Sequence, residues 1–209
     1  MASQSIERGG LVPTDRAEIS ADSIRKALKE QGYVFFLRIQ PKSIGQLVNE
    51  NPDDFGDVDL TDGQMSLVPE EAEVAVNPGR LFLPRSFNIP QGTQRSMIEE
   101  HGNGLKVIGP ALAGVTFEMS HASVYVQLAL AYQEVAGKQL FAPNCFAHTV
   151  DENVYGHVFF ANSFAYVGRQ RGRSPDRLSI TNWFNFILDG YPFLIGAMPV
   201  AVLPRKLSV

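Results

Sequence analysis

The strongest constraint on the fold is a series of apolar segments between residues 120 and 203, which turn signals divide into short pieces. In residues 124–132, apolar side chains alternate with their neighbours in five consecutive matches to a half-buried strand. A helix with Val124 and Leu128 on one stripe also fits these residues. The valines, the tyrosines and the turn that follows favour a strand.

Turn signals extend this pattern into an antiparallel meander. Gly137 would close a three-residue hairpin after the first strand, and Asp189-Gly190 is typical of a two-residue hairpin turn. The spacing predicts about five long antiparallel strands. Because such a sheet needs a second layer on its apolar face, we predict a mainly β fold, an antiparallel β-sandwich or barrel-like domain.

The first half of the chain supplies elements that could cover this sheet. Residues 1–20 are polar and rich in turn formers, and we expect a flexible N-terminal arm. Residues 21–209 have the length of a single β-rich domain. The segment 20–32 has the periodicity of an amphipathic helix, with Ser20 or Asp22 as its cap, and it predicts one peripheral helix near the N-terminus.

Composition and charge limit the classes of function. A formal net charge of −4 argues against a nucleic-acid binder that works by bulk charge. The single cysteine cannot form an internal disulfide. No apolar run reaches the roughly 18 residues of a membrane helix, and no signal peptide is recognisable at the N-terminus. We therefore expect a soluble protein, cytoplasmic or within an assembled particle, that does not bind a membrane.

The only cysteine and two of the four histidines lie close together in the sequence. Cys145 and His148 would point to opposite faces of a straight strand, so we predict that Cys145 is not catalytic. A short hairpin would place His148 opposite His157, with roughly 5 Å between their Cβ atoms. The two could bind a metal if a third ligand were supplied. Phe146 and Val150 share the face of His148, which favours a partly buried pair with ordinary hydrogen bonds.

Two segments of opposite charge are the candidate partner-binding sites. A glycine- and proline-containing arginine cluster suits anionic groups, because a guanidinium donates hydrogen bonds in pairs. An acidic segment, residues 53–62, is expected to be an exposed loop, and it lacks the residue spacing of an EF-hand calcium loop. The candidate residues are Arg169, Arg171, Arg173 and Arg177 in the first segment and Asp53, Asp54 and Asp57 in the second.

The sequence contains no Walker loop, Rossmann fingerprint, nucleophile elbow or zinc-protease helix. The expected function is therefore that of a non-enzymatic structural or assembly protein that self-associates, for example a subunit of a viral or phage particle. Its expected partners are copies of itself and other particle subunits, and no cofactor is expected. Two alternatives remain: a β-barrel or sandwich that binds a small apolar ligand, and a histidine-dependent enzyme with or without a metal.

Overall fold

The computed structural model describes residues 20–153, 163–168, 177–182 and 194–205. These residues form five α-helices and nine β-strands. The helices are α1 (Ala21–Glu30), α2 (Ile44–Glu50), α3 (Asp62–Ser66), α4 (Gln91–Ile108) and α5 (Ala122–Ala136). The strands are β1 (Phe35–Ile39), β2 (Phe55–Asp59), β3 (Ala72–Val76), β4 (Thr116–Glu118), β5 (Cys145–Asn153), β6 (Ser163–Gly168), β7 (Leu178–Asn182), β8 (Leu194–Gly196) and β9 (Val200–Val202).

An antiparallel sheet of four strands, in the order β1-β3-β9-β4, lies at the centre of the fold. Successive residues of its inner strands point to opposite faces, and both faces are buried. Val74 and Val200 pack on one side, while Ala75 and Ala201 pack on the other. Helices α1 and α4 cover the alanine side, and the valine side packs against α2, α5 and the second sheet. The small alanines let the two helices approach the sheet closely.

The second sheet has five strands in the order β2-β7-β6-β5-β8. Its inner strands β5, β6 and β7 are antiparallel neighbours. The two edge strands run parallel to their partners, β2 beside β7 and β8 beside β5. Parallel pairing requires a long connection between the strands, and β2 comes from the first third of the chain. The sheet is therefore mixed, and its edges come from distant parts of the sequence.

The strand predicted over residues 124–132 is wrong, because these residues lie in α5. Every residue from Ala122 to Ala129 is buried, since the helix contacts α2, β1, β5 and β6. A helix buried on all sides has no polar face to mark its period, so its sequence also fits a buried strand. Gly137 adopts the left-handed conformation, with φ of 61°, and ends this helix instead of closing a hairpin.

The fold is mixed α/β, so the predicted mainly β fold with one peripheral helix is wrong. The described strands form two open sheets and do not close into a barrel. The predicted N-terminal helix is confirmed as α1, and the Ser20 side chain accepts a hydrogen bond from the Ser23 N–H. Residues 1–19, the predicted flexible arm, lie outside the described residues.

Candidate functional site

The acidic segment that was expected to be an exposed loop forms regular structure. Asp53 and Asp54 lie in a short 3-10 helix (Pro52–Asp54), and Asp57 lies on β2, an edge strand of the five-stranded sheet. Phe55 explains the difference, because its side chain is buried in the core and fixes the start of β2. Asp53 and Asp57 are still exposed, while Asp54 is half-buried.

The parallel pairing of β2 with β7 places an arginine beside this acidic segment. Phe55 is the partner of Leu178 in this parallel pair, so Asp54 and Arg177, which precede them, lie at the same end of the two strands. Arg177 is exposed, and no ion pair with a described residue uses either charge. The other candidate arginines, Arg169, Arg171 and Arg173, lie outside the described residues.

His148 lies on β5, within the part of this strand that pairs with β6. The pairing of β5 with β6 places His148 opposite Tyr166 and continues to Asn153 opposite Ser163. The predicted tip at residues 151–153 is therefore wrong, because β5 extends through it, and His157 lies outside the described residues. In the part of the chain that the structure describes, no group of three or more His, Cys, Asp or Glu residues is arranged to hold a metal ion.

The side chain of His148 belongs to a buried hydrogen-bond network that links α4 to β8. Gln94 Nε2 donates to the carbonyl oxygens of Ser86, at 2.7 Å, and Ile195, at 3.0 Å. This orientation directs Gln94 Oε1 to His148 Nδ1 at 2.6 Å. Because an amide oxygen only accepts, Nδ1 is the protonated ring nitrogen and donates this hydrogen bond. Burial, with a smaller contribution from the charge of Arg95, lowers the pKa of His148 to about 4. The imidazole is therefore neutral at pH 7. Its hydrogen bond to Gln94 joins β5 to α4.

Cys145 is the first residue of β5 and is half-buried. Burial raises the pKa of its thiol, whereas a reactive cysteine needs a lowered pKa to form a thiolate near neutral pH. The neutral imidazole of His148 would not stabilise a thiolate as an imidazolium does. That Cys145 is not catalytic stays a prediction, and these electrostatic facts support it.

The pairing of β5 with β6 is irregular between residues 148 and 152, and the segment Thr149–Asp151 bonds to other elements there. The side chains of Gln91 in α4 and Gln64 in α3 donate to backbone carbonyls of this segment, at 2.7 and 3.3 Å. Its central N–H donates to the carbonyl of Ser120 at 3.1 Å. Such irregularities redirect side chains and are frequent beside functional sites. This segment is where the two sheets and three helices meet.

Asp151 is a buried carboxylate at the start of α5, with 4% exposure. Its Oδ2 accepts a hydrogen bond from the Ala122 N–H at 2.5 Å, and its Oδ1 lies 2.5 Å from His121 Nδ1. A helix N-terminus favours a negative charge, because its first N–H groups lack partners within the helix. The hydrogen bond to Asp151 raises the pKa of His121 against the effect of burial, and the charges of Asp151 and Glu118 add to the rise. A histidine held by a buried carboxylate is suited to proton transfer and to anion binding.

A groove of about 390 Å³ lies between α4 and β4, and two of its lining residues are close in the chain to this pair. Glu118 and Val150 line the groove, and the chain continues from them to His121 and Asp151 within three residues. Burial raises the pKa of Glu118, while the charge of His121 opposes that rise. One wall consists of polar α4 side chains at helical spacing, which share a face of the helix. These residues are Arg95, Glu99, Asn103 and Lys106.

Sequence reasoning missed this site because His121 and Asp151 are far apart in the chain. They meet only because α5 is a helix whose N-terminus abuts the irregular part of β5. An interpretation of residues 122–136 as a helix would have placed His121 at the N-cap, where a carboxylate partner is favoured. Asp151 itself carries no local signal, since its role depends on a tertiary contact.

Comparisons of the chain with known protein families, curated proteins and solved structures find no match. Each helix within the described ranges is too short or too polar to cross a bilayer. The geometry of the described residues is therefore the basis for the function proposed below.

Proposed function

We propose that this protein is an assembly subunit that self-associates through the edge of the five-stranded sheet. The observation that carries the proposal is the position of Arg177 beside Asp54, with Asp53 and Asp57 exposed nearby. Opposite charges thus lie side by side on one surface. We call this surface the charged edge and define it by Asp53, Asp54, Asp57 and Arg177.

Adjacent patches of opposite charge are suited to a two-fold symmetric dimer. In such an interface the same surface is used twice, so a basic patch on one copy meets the acidic patch of its partner and the reverse. The sequence places three more arginines in the segment that leads to Arg177. The acidic patch of one copy would therefore face the arginine segment 169–177 of the other, with electrostatic complementarity that fixes orientation.

The charged edge would not extend its sheet into a neighbouring copy by strand pairing. The register of β2 shifts between Phe55 and Val58, and Asp57 places a charge on the edge strand. Both features oppose edge-to-edge association of strands. The proposed contact is accordingly made by side chains across the two-fold axis.

Exposed apolar residues would supply most of the affinity. An exposed ion pair contributes only about 0–1 kcal/mol, so charge alone cannot hold a stable dimer. Leu67 is 39% exposed and Val68 is 53% exposed, and both follow α3, which comes directly after β2 in the chain. Burial of such side chains at an interface contributes about 25 cal/mol per Å² of apolar surface.

Sedimentation of the purified protein at several concentrations, in low and high salt, tests the proposal. We expect a dimer that dissociates as salt rises, because exposed charges are screened. The variants Asp53→Lys/Asp54→Lys/Asp57→Lys and Arg169→Glu/Arg171→Glu/Arg173→Glu should each be monomeric. An equimolar mixture of the two should form a heterodimer, since the three new lysines of one variant then face the three new glutamates of the other.

A matched variant controls for a simple change in net charge. Glu30, Glu100 and Glu134 are exposed and lie on other helices, so Glu30→Lys/Glu100→Lys/Glu134→Lys should dimerise as the natural sequence does. A protein that stays monomeric at high concentration and low salt would contradict the proposal. So would a mixture of the two charge-reversed variants that fails to associate while each variant remains folded.

A further inference from the structure

The groove between α4 and β4 has charged side chains for which the fold itself has no evident use. Arg95 and Lys106 lie on its α4 wall, and no ion pair among the described residues includes either of them. Glu99 follows Arg95 by one helical turn, at a spacing that permits an ion pair, yet the two do not form one. Arg95 is therefore available to a ligand.

The groove also offers an apolar surface next to these charges. The half-buried Val150 supplies most of its accessible part, while Met119 and Ile98 also line the groove but are only 5% and 1% exposed. Its volume of about 390 Å³ lies within the range of small-molecule sites, which combine apolar walls with a few polar groups. The ligand that fits has one polar end and a small apolar body.

The polar groups at one end of the groove determine which charge the ligand carries. Arg95 lies on the first turns of α4, close enough to buried His148 for its charge to act on that imidazole. Val150 also lines the groove, and the next residue, Asp151, holds His121, which follows the lining residue Glu118 by three positions. The Arg95 guanidinium suits a carboxylate or phosphate group, because it donates hydrogen bonds in pairs. Lys106, eleven residues from Arg95, is about 16 Å away along the helix and belongs to the other end.

We propose that this groove binds a small organic anion, with its carboxylate or phosphate group on Arg95 and its apolar part on Met119 and Val150. Glu118 faces the same space and carries a charge that opposes the ligand. The site is separate from the charged edge, and neither proposal depends on the other.

Titration of ¹⁵N-labelled protein with benzoate, phenyl phosphate and inorganic phosphate tests the site by NMR. We expect saturable shifts of the Arg95 side chain and of residues 118–121 and 150–151, with a Kd of about 1 mM or tighter for at least one of the aromatic anions. Binding of both aromatic anions would show that either anionic group is accepted, and a preference would identify the group. Inorganic phosphate should bind more weakly, because it lacks the apolar part.

Three variants determine which charge carries the binding. Arg95→Met should weaken the affinity about tenfold or more, because it removes a charged hydrogen-bond donor. Glu118→Gln should strengthen the affinity, since it removes a like charge from the groove. Arg80→Met, at an exposed arginine outside the groove, should change nothing.

The anion site is ruled out if no probe produces saturable shifts in the groove, or if Arg95→Met binds as well as the natural protein. Weaker binding in Glu118→Gln would also contradict it, because that result identifies a cation site formed by the carboxylates. The fold of each variant is checked by the dispersion of its amide spectrum, so loss of structure is not mistaken for loss of binding.

Discussion

Gly102 on α4 lies so close to Phe117 on β4 that a methyl group on the glycine would be only 2.7 Å from the Phe117 Cβ. This contact brings the helix onto the edge of the four-stranded sheet and forms the base of the groove. Phe117 in turn packs against the rings of Tyr33, at 5.5 Å between centroids, and His101, at 6.1 Å. A backbone without a side chain is therefore required at this point in the helix.

We expect Gly102→Ala to destabilise the protein by about 2 kcal/mol, because overpacking costs more than the gain in helix propensity. Gly104→Ala is the matched control in the same helix, since no atom lies within 4 Å of its added methyl group. That variant should stabilise the protein by about 0.5–1 kcal/mol. Urea unfolding measures the change in the free energy of unfolding for each variant. Equal changes in the two variants would contradict the close contact between Gly102 and Phe117.

Removal of the Asp151 carboxylate should destabilise the start of α5. Asp151→Ala leaves the Ala122 N–H without its acceptor and His121 without its partner. Because the carboxylate is buried, we expect a loss of about 3 kcal/mol in the free energy of unfolding, measured by urea denaturation. Asp151→Asn retains one acceptor oxygen and should lose less.

Ser123, the second residue of α5, provides a control for which we expect the opposite effect on stability. Its hydroxyl is buried and has no hydrogen-bond partner in the part of the chain that the structure describes. Ser123→Ala should therefore leave the stability unchanged or raise it by about 1 kcal/mol, since it removes an unsatisfied polar group and improves helix propensity. If Asp151→Ala were no more destabilising than Ser123→Ala, the hydrogen bonds of Asp151 to the start of α5 would not contribute to stability.

The sequence predicted α1 correctly because that helix lies on the surface. Its buried Ile24 and Leu28 alternate with charged residues at helical spacing, so the pattern records which face is buried. The same reasoning failed for α5, whose side chains are buried on every side over its first half. It also failed for β2, where Phe55 is buried but exposed aspartates on both sides resemble a loop.

The candidate sites also differ in how much of them could be predicted from the sequence. The charges of the acidic and arginine segments could be listed from the sequence, but their adjacency depends on the parallel pairing of β2 with β7. A parallel pair joins distant parts of a chain, and no local pattern reports it. The His121–Asp151 pair and the groove likewise depend on tertiary contacts between segments that carry no shared motif.

Gln127 anchors α5 to the end of β1 in the way that a neighbouring strand would. Its Oε1 accepts from the Gln40 N–H at 2.8 Å, and its Nε2 donates to the Gln40 carbonyl at 3.0 Å. Gln127→Leu loses both bonds and leaves the Gln40 N–H unpaired, while the Gln40 carbonyl still accepts from the Lys42 N–H at 2.8 Å. We therefore expect destabilisation by about 1–2 kcal/mol in thermal or urea unfolding. Gln127→Glu keeps the acceptor and the size, and it should lose less. A leucine variant as stable as the natural protein would show that water replaces both bonds.

His148 should make the protein less stable in acid. Its pKa is about 4 in the folded state, against an ordinary value of about 6.5. Between these values the unfolded chain binds a proton that the folded protein does not, so stability rises with pH. The contribution is fully present above about pH 6.5 and is lost as the pH falls toward 4, by about 3 kcal/mol in all.

Urea unfolding between pH 4 and pH 8 measures this dependence. His148→Gln can still donate to Gln94 Oε1 but has no titratable group, so its stability should vary less between pH 4 and 6.5 than that of the natural protein. His121→Gln is the control, because the pKa of His121 is raised and its contribution is lost only as the pH rises above about 6.5. It should keep the acid slope and change the alkaline side. An unchanged acid slope in His148→Gln would show that this histidine is not held neutral by its surroundings. His101, whose pKa burial also lowers, would then be the next histidine to test among the described residues.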